Sequence, residues 1–332
     1  MKAFPIFCAL LVGSFLGAEQ AIAEPVNSLN CSGVERQLFC AKESADDHEC
    51  VPISDEIEGY VRRLIAILES SPRIIQHTAC ELDRVNILLT REGMPQGSIA
   101  FSNGNQIFIP KEVFQRSDAS MERVLRNLKG LYTFSDGVTP FAEVDDLEIE
   151  YEAAIENELF NDYYLARILF HEVGHVIENN RLVTAPYSCL GNLRHGRRLA
   201  SLSRLPIDPS PSDTRCQALL AIRQDIDTYA DFRRSEFISP YALCSESEDF
   251  AELFSELLIY DSIGFNYSLS DGQNTLFRLD DFLKNDAVRG KVNTIRALSN
   301  PRLWEAVEPS KIYYDHLLCI GDFSDLDLAQ NP

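Results

Sequence analysis

The sequence predicts an α+β protein in which strands precede a helix-rich remainder. Residues 57–68 have apolar residues at helical spacing, and residues 85–90 are a short apolar run typical of a buried strand. Residues 98–109 consist of two strand-like segments around Ser-Asn-Gly-Asn, and Asn-Gly between such segments indicates a β-hairpin. Residues 165–178 and 248–258 follow with the apolar spacing of longer helices.

The composition is that of a globular protein with a strong acidic bias. The chain has 332 residues, 45% of them hydrophobic and 24% charged, which excludes low-complexity, collagen-like and long coiled-coil proteins. Asp and Glu number 51 against 30 Lys and Arg, so the formal charge is −21. Phosphate backbones and anionic lipid surfaces repel such a chain, so we expect no nucleic-acid partner and no binding to a membrane surface. No segment after residue 23 is apolar enough to be a transmembrane helix, so we also expect no membrane insertion of the mature protein.

The N-terminus has the layout of a cleavable secretory signal. Lys2 precedes an apolar run at residues 4–16, which is too short to span a bilayer, and Ala-Ile-Ala follows at residues 21–23. The alternative is a buried N-terminal helix. We predict cleavage after Ala23 and a secreted or periplasmic protein.

The cysteines support export. The chain has nine cysteines, and removal of the signal takes Cys8 away. The eight that remain are Cys31, Cys40, Cys50, Cys80, Cys189, Cys216, Cys244 and Cys319. An even number in an exported chain predicts four disulfides formed in an oxidising compartment, and the sequence does not decide which cysteines pair.

The predicted domain organisation has one main domain. Residues 1–23 are the signal, and residues 24–55 are an irregular segment that contains cysteines. The main domain covers residues 56–319 with an inserted loop at 181–240, and residues 320–332 form a C-terminal tail.

Two segments stand apart by their charge. Residues 143–158 hold eight acidic residues and no basic one, whereas residues 181–215 hold six arginines against two aspartates. The second segment is also rich in proline and is bracketed by Cys189 and Cys216. Solvated surface is the simplest interpretation of both, and the basic segment is also where we expect determinants of selectivity.

A pair of histidines lies in the predicted helix at 165–178. Residues 171–175 read His-Glu-Val-Gly-His. His171 and His175 are one helical turn apart, so their imidazoles point the same way and can hold one ion. Glu172 lies beside them and can reach a water on that ion. The alternative is two core or surface histidines that happen to be one turn apart.

A third ligand has to come from elsewhere, because a catalytic zinc site uses three protein ligands. Glu248, Glu252 and Glu256 lie on one face of an otherwise apolar predicted helix. Carboxylates next to a core need a compensating charge, which a metal with its histidines supplies. The alternative is an acidic stripe that faces solvent.

Together the two motifs resemble those of the gluzincin metallopeptidases. The sequences His-Glu-Val-Gly-His at 171–175 and Glu-Asp-Phe-Ala-Glu at 248–252 are similar to those of the branch containing the anthrax lethal factor catalytic domain and the bacterial Pro-Pro endopeptidases. The resemblance implies a zincin-like fold with a small mixed sheet, an active-site helix and a second ligand-bearing helix, and one Zn²⁺ per chain. The chain departs from that branch at Asp249, where the branch has an aromatic residue, and Pro-Pro specificity is not carried over.

The resemblance also implies a role for each matching residue. The zinc ligands are His171, His175 and Glu248. Glu172 is the general base. Glu252 accepts a hydrogen bond from a zinc histidine and orients it, and Tyr241, seven residues before Glu248, donates to the oxyanion.

The leading hypothesis is a secreted zinc endopeptidase that hydrolyses a peptide or protein substrate with a metal-activated water. The strand at residues 106–109 is expected to pair with an extended substrate. Two alternatives remain: a zincin-fold binding or structural protein without turnover, and a metal hydrolase that acts on a non-peptide substrate. The sequence defines neither the substrate nor the oligomeric state.

Overall fold

The computed structural model describes residues 28–31, 34–95, 98–116, 148–179, 238–239, 242, 246–270, 275–286 and 288–299. Its strands are β1 (Ser28–Cys31), β2 (Val34–Gln37), β3 (Phe39–Lys42), β4 (Arg84–Leu88), β5 (Phe101–Asn103), β6 (Gln106–Pro110), β7 (Glu148–Glu152), β8 (Asn266–Ser270) and β9 (Thr275–Arg278). Its helices are α1 (Asp55–Ser70), α2 (Arg73–Glu81), α3 (Lys111–Arg116), α4 (Glu158–Asn161), α5 (Tyr163–Asn179), α6 (Glu246–Ile263), α7 (Leu279–Leu283) and α8 (Arg289–Leu298). The predicted α+β class is confirmed.

A four-stranded mixed sheet, ordered β3-β4-β6-β5, forms one side of the core. β3, β4 and β6 are parallel, and β5 runs antiparallel to β6. α1 and α2 lie between β3 and β4 in the chain, so they supply the crossover that parallel neighbours need. Alternate residues of β4 and β6 are completely buried on one face of this sheet, namely Val85, Ile87, Ile107 and Ile109.

The β5–β6 hairpin has the predicted turn but corrects one expectation. Gly104 lies in the turn with φ 58°, a left-handed conformation that glycine adopts without steric cost. β6 pairs with β4 on one side and β5 on the other, so the prediction that the strand at 106–109 receives an extended substrate is wrong. Of the two hairpin strands, β5 is the one at an edge of the sheet, and its outer side pairs with no strand in the described ranges.

Helices α5 and α6 pack against each other in the centre of the molecule. Both are buried on nearly all sides, as expected for helices that are largely apolar around their circumference. Gly174 lets the two backbones approach, because a Cβ there would lie 3.2 Å from Ala251 Cα and 3.3 Å from the Phe254 ring. β5 and β6 also lie against α5, so this helix contacts both the sheet and α6.

A second sheet, ordered β7-β8-β9, joins one strand that precedes the helix pair in the chain to two strands that follow it. All its strands are antiparallel, and β8 begins just after α6, beyond Gly264. β7 lies within the acidic segment at 143–158. The glutamates whose side chains are described there are exposed, in agreement with a solvated surface: Glu150, Glu152, Glu156 and Glu158.

Two disulfides tie the N-terminal strands to the rest of the structure. Cys31 is bonded to Cys80, which links β1 to α2, and Cys40 is bonded to Cys50, which links β3 to the loop after it. The segment at 24–55, expected to be irregular, thus contributes β1, β2 and β3, the last of them a member of the main sheet. The other four cysteines of the predicted mature chain, Cys189, Cys216, Cys244 and Cys319, lie outside the described residues.

Several sequence predictions fall on parts of the chain that are not described. They concern the signal at 1–23, the inserted loop at 181–240 apart from residues 238–239, and the tail at 320–332. Within the described ranges, no helix has the length and apolar character needed to cross a membrane.

Candidate metal centre

Two stripes of polar residues face each other across the α5–α6 interface. On α5 they recur at every fourth position, at Tyr163, Arg167, His171 and His175. On α6 the corresponding residues are Glu248, Glu252 and Glu256. Residues four apart share a helix face, and the helices run antiparallel, so the two stripes alternate in a ladder of contacts. Most of this ladder is buried.

The upper end of the ladder brings three donor atoms together. His171 Nε2 lies 3.1 Å from His175 Nε2 and 3.1 Å from Glu248 Oε2, and His175 Nε2 lies 3.4 Å from the same carboxylate oxygen. Ligands bound tetrahedrally at about 2.0–2.2 Å from one ion are separated by about 3.3–3.5 Å. The three residues could therefore hold a metal ion with little rearrangement.

The electrostatics of this triad favour a cation. Burial alone would raise the pKa of Glu248, but the two imidazoles outweigh it and hold that pKa well below its usual range. Burial would lower the pKa of each histidine. For His171 the carboxylates of Glu248 and Glu252 overcome this effect and raise the pKa to about 9. For His175 the carboxylates of Glu178 and Glu248 raise it to about 10. Without a metal, protons therefore supply the positive charge at this position.

His171 is oriented from behind by Glu252. Its Nδ1 lies 3.1 Å from Glu252 Oε1. Because a carboxylate only accepts, this contact favours the proton on Nδ1 and leaves Nε2 available to a metal. Glu252 is itself held, since Arg167 Nη2 lies 2.7 Å and Ser239 Oγ 2.5 Å from its other oxygen. Burial would raise the pKa of Glu252, but Arg167 and His171 lower it to about 2.

His175 is oriented by a different group. Its Nδ1 lies 2.9 Å from Ser247 Oγ, and that hydroxyl donates its proton to Glu178 Oε2. The Ser247 oxygen is then the acceptor for Nδ1–H, which again leaves Nε2 facing the triad. Each histidine thus has an acceptor beside its Nδ1, which favours the tautomer that a metal ligand requires.

The lower end of the ladder is a buried charge cluster. Arg167 Nε donates to Glu256 Oε1 at 2.5 Å, and the Tyr163 hydroxyl donates to Glu256 Oε2 at 2.7 Å. Burial would lower the pKa of Arg167, but Glu252 and Glu256 raise it well above its usual range, so the guanidinium is charged.

Glu172 is buried and has a carboxylate oxygen that no described group hydrogen-bonds, as expected of a general base. Its side chain is 4% exposed, and its Oε2 has no hydrogen-bond partner in the described part of the chain. Burial raises its pKa, and the nearby His171 and His175 oppose that shift only in part. A buried carboxylate oxygen without a partner costs free energy, which a bound water or substrate group can recover.

The structure brings together His171, His175 and Glu248, and it places Glu252 against His171, where the sequence analysis expected it. Tyr241 lies outside the described residues. Sequence reasoning missed Arg167, Ser247 and Glu178. The four-residue spacing from His171 back to Arg167 was the available signal, because it puts that arginine on the face that also carries the histidines.

Comparisons of the chain with protein-family models, with curated proteins and with solved structures find no match.

Proposed function

We propose that the protein is a secreted zinc metallopeptidase with a zincin-like fold, of the gluzincin type. The observation that carries the proposal is the compact triad of His171 Nε2, His175 Nε2 and Glu248 Oε2, with the buried Glu172 next to His171 in the chain. A predicted signal sequence and two disulfides support secretion.

The donor set favours zinc. Two imidazole nitrogens and one carboxylate oxygen suit zinc, whereas calcium and magnesium take oxygen ligands. Three protein ligands leave a coordination position open, as in catalytic zinc sites. Charge points the same way. The ladder has three carboxyl groups, those of Glu248, Glu252 and Glu256, against the single guanidinium of Arg167, and Glu172 adds a further buried carboxyl group. A bound cation therefore offsets an excess of acidic groups.

The proposed reaction is peptide-bond hydrolysis. A bound zinc ion would supply a Lewis acid that acidifies water and polarises the scissile carbonyl. Glu172 takes the proton of the attacking water and passes it to the leaving amine, and the raised pKa of its buried carboxyl suits both steps. By the family resemblance, Tyr241 donates to the developing oxyanion.

The edge of the main sheet offers a place for an extended substrate. β5 lies against α5, the helix with the two histidines, and one of its sides pairs with no strand in the described ranges. An extended peptide can add to such an edge through main-chain hydrogen bonds. This assigns to β5 the role that the sequence analysis gave to the strand at 106–109.

Metal content and a single substitution test the proposal. We expect one zinc per purified chain by elemental analysis, and cleavage of members of a diverse quenched-fluorescence peptide library that a chelator abolishes. Glu172→Gln should keep the zinc and lower kcat/KM at least about 100-fold, because the base is lost while the ligands remain. The exposed Glu156→Gln is the matched control and should behave as wild type.

Each contrary result points to a different failure. A properly folded chain that takes up no zinc overturns the metal centre. Activity that survives in Glu172→Gln overturns the assigned base. A zinc-loaded wild type that cleaves no peptide supports one of the alternatives, and hydrolysis of non-peptide esters or amides then separates the metal hydrolase from the binding protein.

A further inference from the structure

Arg167 is the only cation identified in the buried ladder that is not a proposed metal ligand, and it contacts both carboxylates behind the triad. We propose that Arg167 is a positioning residue of the metal centre: it fixes the Glu252 carboxylate so that Glu252 orients His171. This inference rests on the proposed function, because it concerns the affinity and geometry of the same site.

The geometry fits a rigid clamp. The Arg167 side chain is 4% exposed, and two separate nitrogens of its planar guanidinium contact two carboxylates. Nη2 lies 2.7 Å from Glu252 Oε2, and Nε lies 2.5 Å from Glu256 Oε1. Tyr163 donates to the second oxygen of Glu256, which fixes that carboxylate in turn. A planar fork with several donors holds two acceptors in place better than the single ammonium of a lysine.

The helix itself links the clamp to the ligand. Arg167 and His171 are one turn apart on α5, and the two oxygens of Glu252 are divided between them, Oε2 to Arg167 and Oε1 to His171. A shift of the Glu252 carboxylate relative to α5 would therefore alter the contact that orients the imidazole. Ser239 also donates to Glu252 Oε2. Because Ser239 lies outside both helices, it cannot by itself fix the position of the Glu252 carboxylate relative to α5.

Arg167 also affects the charge behind the metal. Glu252 and Glu256 are both buried, and Arg167 is the guanidinium that they share. An anionic partner behind a metal-bound imidazole raises the basicity of that ligand, and loss of such partners typically weakens metal binding about 10- to 100-fold. A purely structural arginine would affect the stability of the fold and leave the metal site unchanged.

Arg167→Lys is the test, and Arg63→Lys is its matched control. Arg63 also contacts a carboxylate through two nitrogens, with both contacts to Asp162 at 2.7 Å, and Asp162 directly precedes α5. This pair does not contact the triad in the described structure. The measurements are the zinc Kd, from competition with a chromophoric chelator, and the visible absorption spectrum of the protein loaded with Co²⁺. Both readouts are independent of peptidase activity.

We expect Arg167→Lys to raise the zinc Kd about 10- to 100-fold and to change the cobalt spectrum. Arg63→Lys should lower the Tm and leave the Kd within about threefold of wild type and the spectrum unchanged.

A folded Arg167→Lys protein with wild-type Kd and spectrum overturns the proposal while the proposed function stands. If that variant does not fold, Tyr163→Phe takes its place: a rise in Kd of about threefold or more supports the proposal, and an unchanged Kd overturns it. A wild-type protein that binds neither ion overturns the proposed function itself.

Discussion

Asp249 follows the proposed ligand Glu248 in the chain but contacts a different part of the molecule. Its carboxylate accepts a hydrogen bond from the Lys291 ammonium on α8. Asp249 is completely buried and Lys291 is 5% exposed, so the two charges form an ion pair inside the core. This pair joins α6 to α8 and gives Asp249 a structural role of its own beside the proposed ligand in the chain.

Removal of one partner of this pair should lower the free energy of unfolding far more than removal of both. Lys291→Met leaves a buried carboxylate without its cation, and we expect the free energy of unfolding to fall by about 3–5 kcal/mol. Adding Asp249→Leu removes the stranded charge and should recover most of that loss, since buried ion pairs are often replaced by apolar residues at little cost. Urea unfolding of the zinc-loaded proteins measures both values. A double variant no more stable than Lys291→Met would show that the pair is not the source of the loss.

At the level of single residues, short-range spacing made the histidine pair predictable, whereas Glu248 was predicted from its acidic helix face and from the family resemblance. His171 and His175 are four apart, so helix geometry alone brings their rings together. The contact between Arg167 and Glu252 joins residues 85 positions apart, and the register of α5 against α6 decides it. That register depends on the packing of the whole interface, so a sequence pattern on one helix cannot supply it.

At the level of elements, the interface of α5 and α6 depends on Gly174. A methyl group at this position would lie 3.2 Å from the backbone of Ala251, which cannot rotate away as a side chain can. The helices would have to separate by a few tenths of an ångström. His171 and His175 lie on one helix and Glu248 on the other, so any separation also opens the triad.

Gly174→Ala should therefore destabilise the protein and weaken its metal site. The substitution gains up to about 1 kcal/mol in helix propensity, but overpacking of a tight core costs about 1–3 kcal/mol and should prevail. We expect a net loss of about 1–2 kcal/mol in the free energy of unfolding, with a higher zinc Kd. Gly59→Ala is the control. Gly59 is exposed in the second turn of α1, and apart from its chain neighbours and the backbone of its own helix no atom lies within 4 Å of the position that a methyl group would take there. This variant should therefore gain about 0.5–1 kcal/mol in the free energy of unfolding. Equal changes in the free energy of unfolding at both positions would contradict the close approach of α5 and α6 at Gly174.

Elements with a clear apolar pattern or a turn signal were predictable, and elements without either were not. The expected helices at 57–68 and 165–178 are found as α1 and α5, and the strand at 85–90 is found as β4. β3 has four residues, too few to show a pattern, and it becomes a strand because it pairs with β4. β7 carries glutamates in an acidic run that indicated only solvated surface, and its pairing with β8 decides its structure.

Across the whole molecule, we expect the ionisable groups of the candidate metal centre to make stability depend on pH, and we expect bound zinc to remove the alkaline part of that dependence. In the metal-free protein the pKa of His171 is raised to about 9 from its ordinary 6.5. A group that binds its proton more tightly in the folded state stabilises that state while it is protonated. The contribution of His171 is therefore complete below pH 6.5 and is lost as the pH rises through 9. Glu252 acts in the opposite direction. Its pKa is lowered to about 2, so its contribution is present above pH 4.5 and disappears as the pH falls towards 2.

The metal-free protein should consequently be most stable between about pH 4.5 and 6.5, and it should lose about 3 kcal/mol between pH 6.5 and 9.5. This value counts one shared proton, because the Nε2 atoms of His171 and His175 are 3.1 Å apart and leave room for one between them. In the zinc-loaded protein the ion replaces that proton, so the loss of stability at alkaline pH should vanish.

Urea unfolding at pH 5, 6.5, 8 and 9.5, with chelator and with zinc, measures the difference in stability between the two forms. His77→Gln, at an exposed histidine, should leave both profiles unchanged. Parallel profiles with and without zinc would mean that protons and metal do not compete for the same atoms, because competition requires the gap between the two profiles to widen as the pH rises.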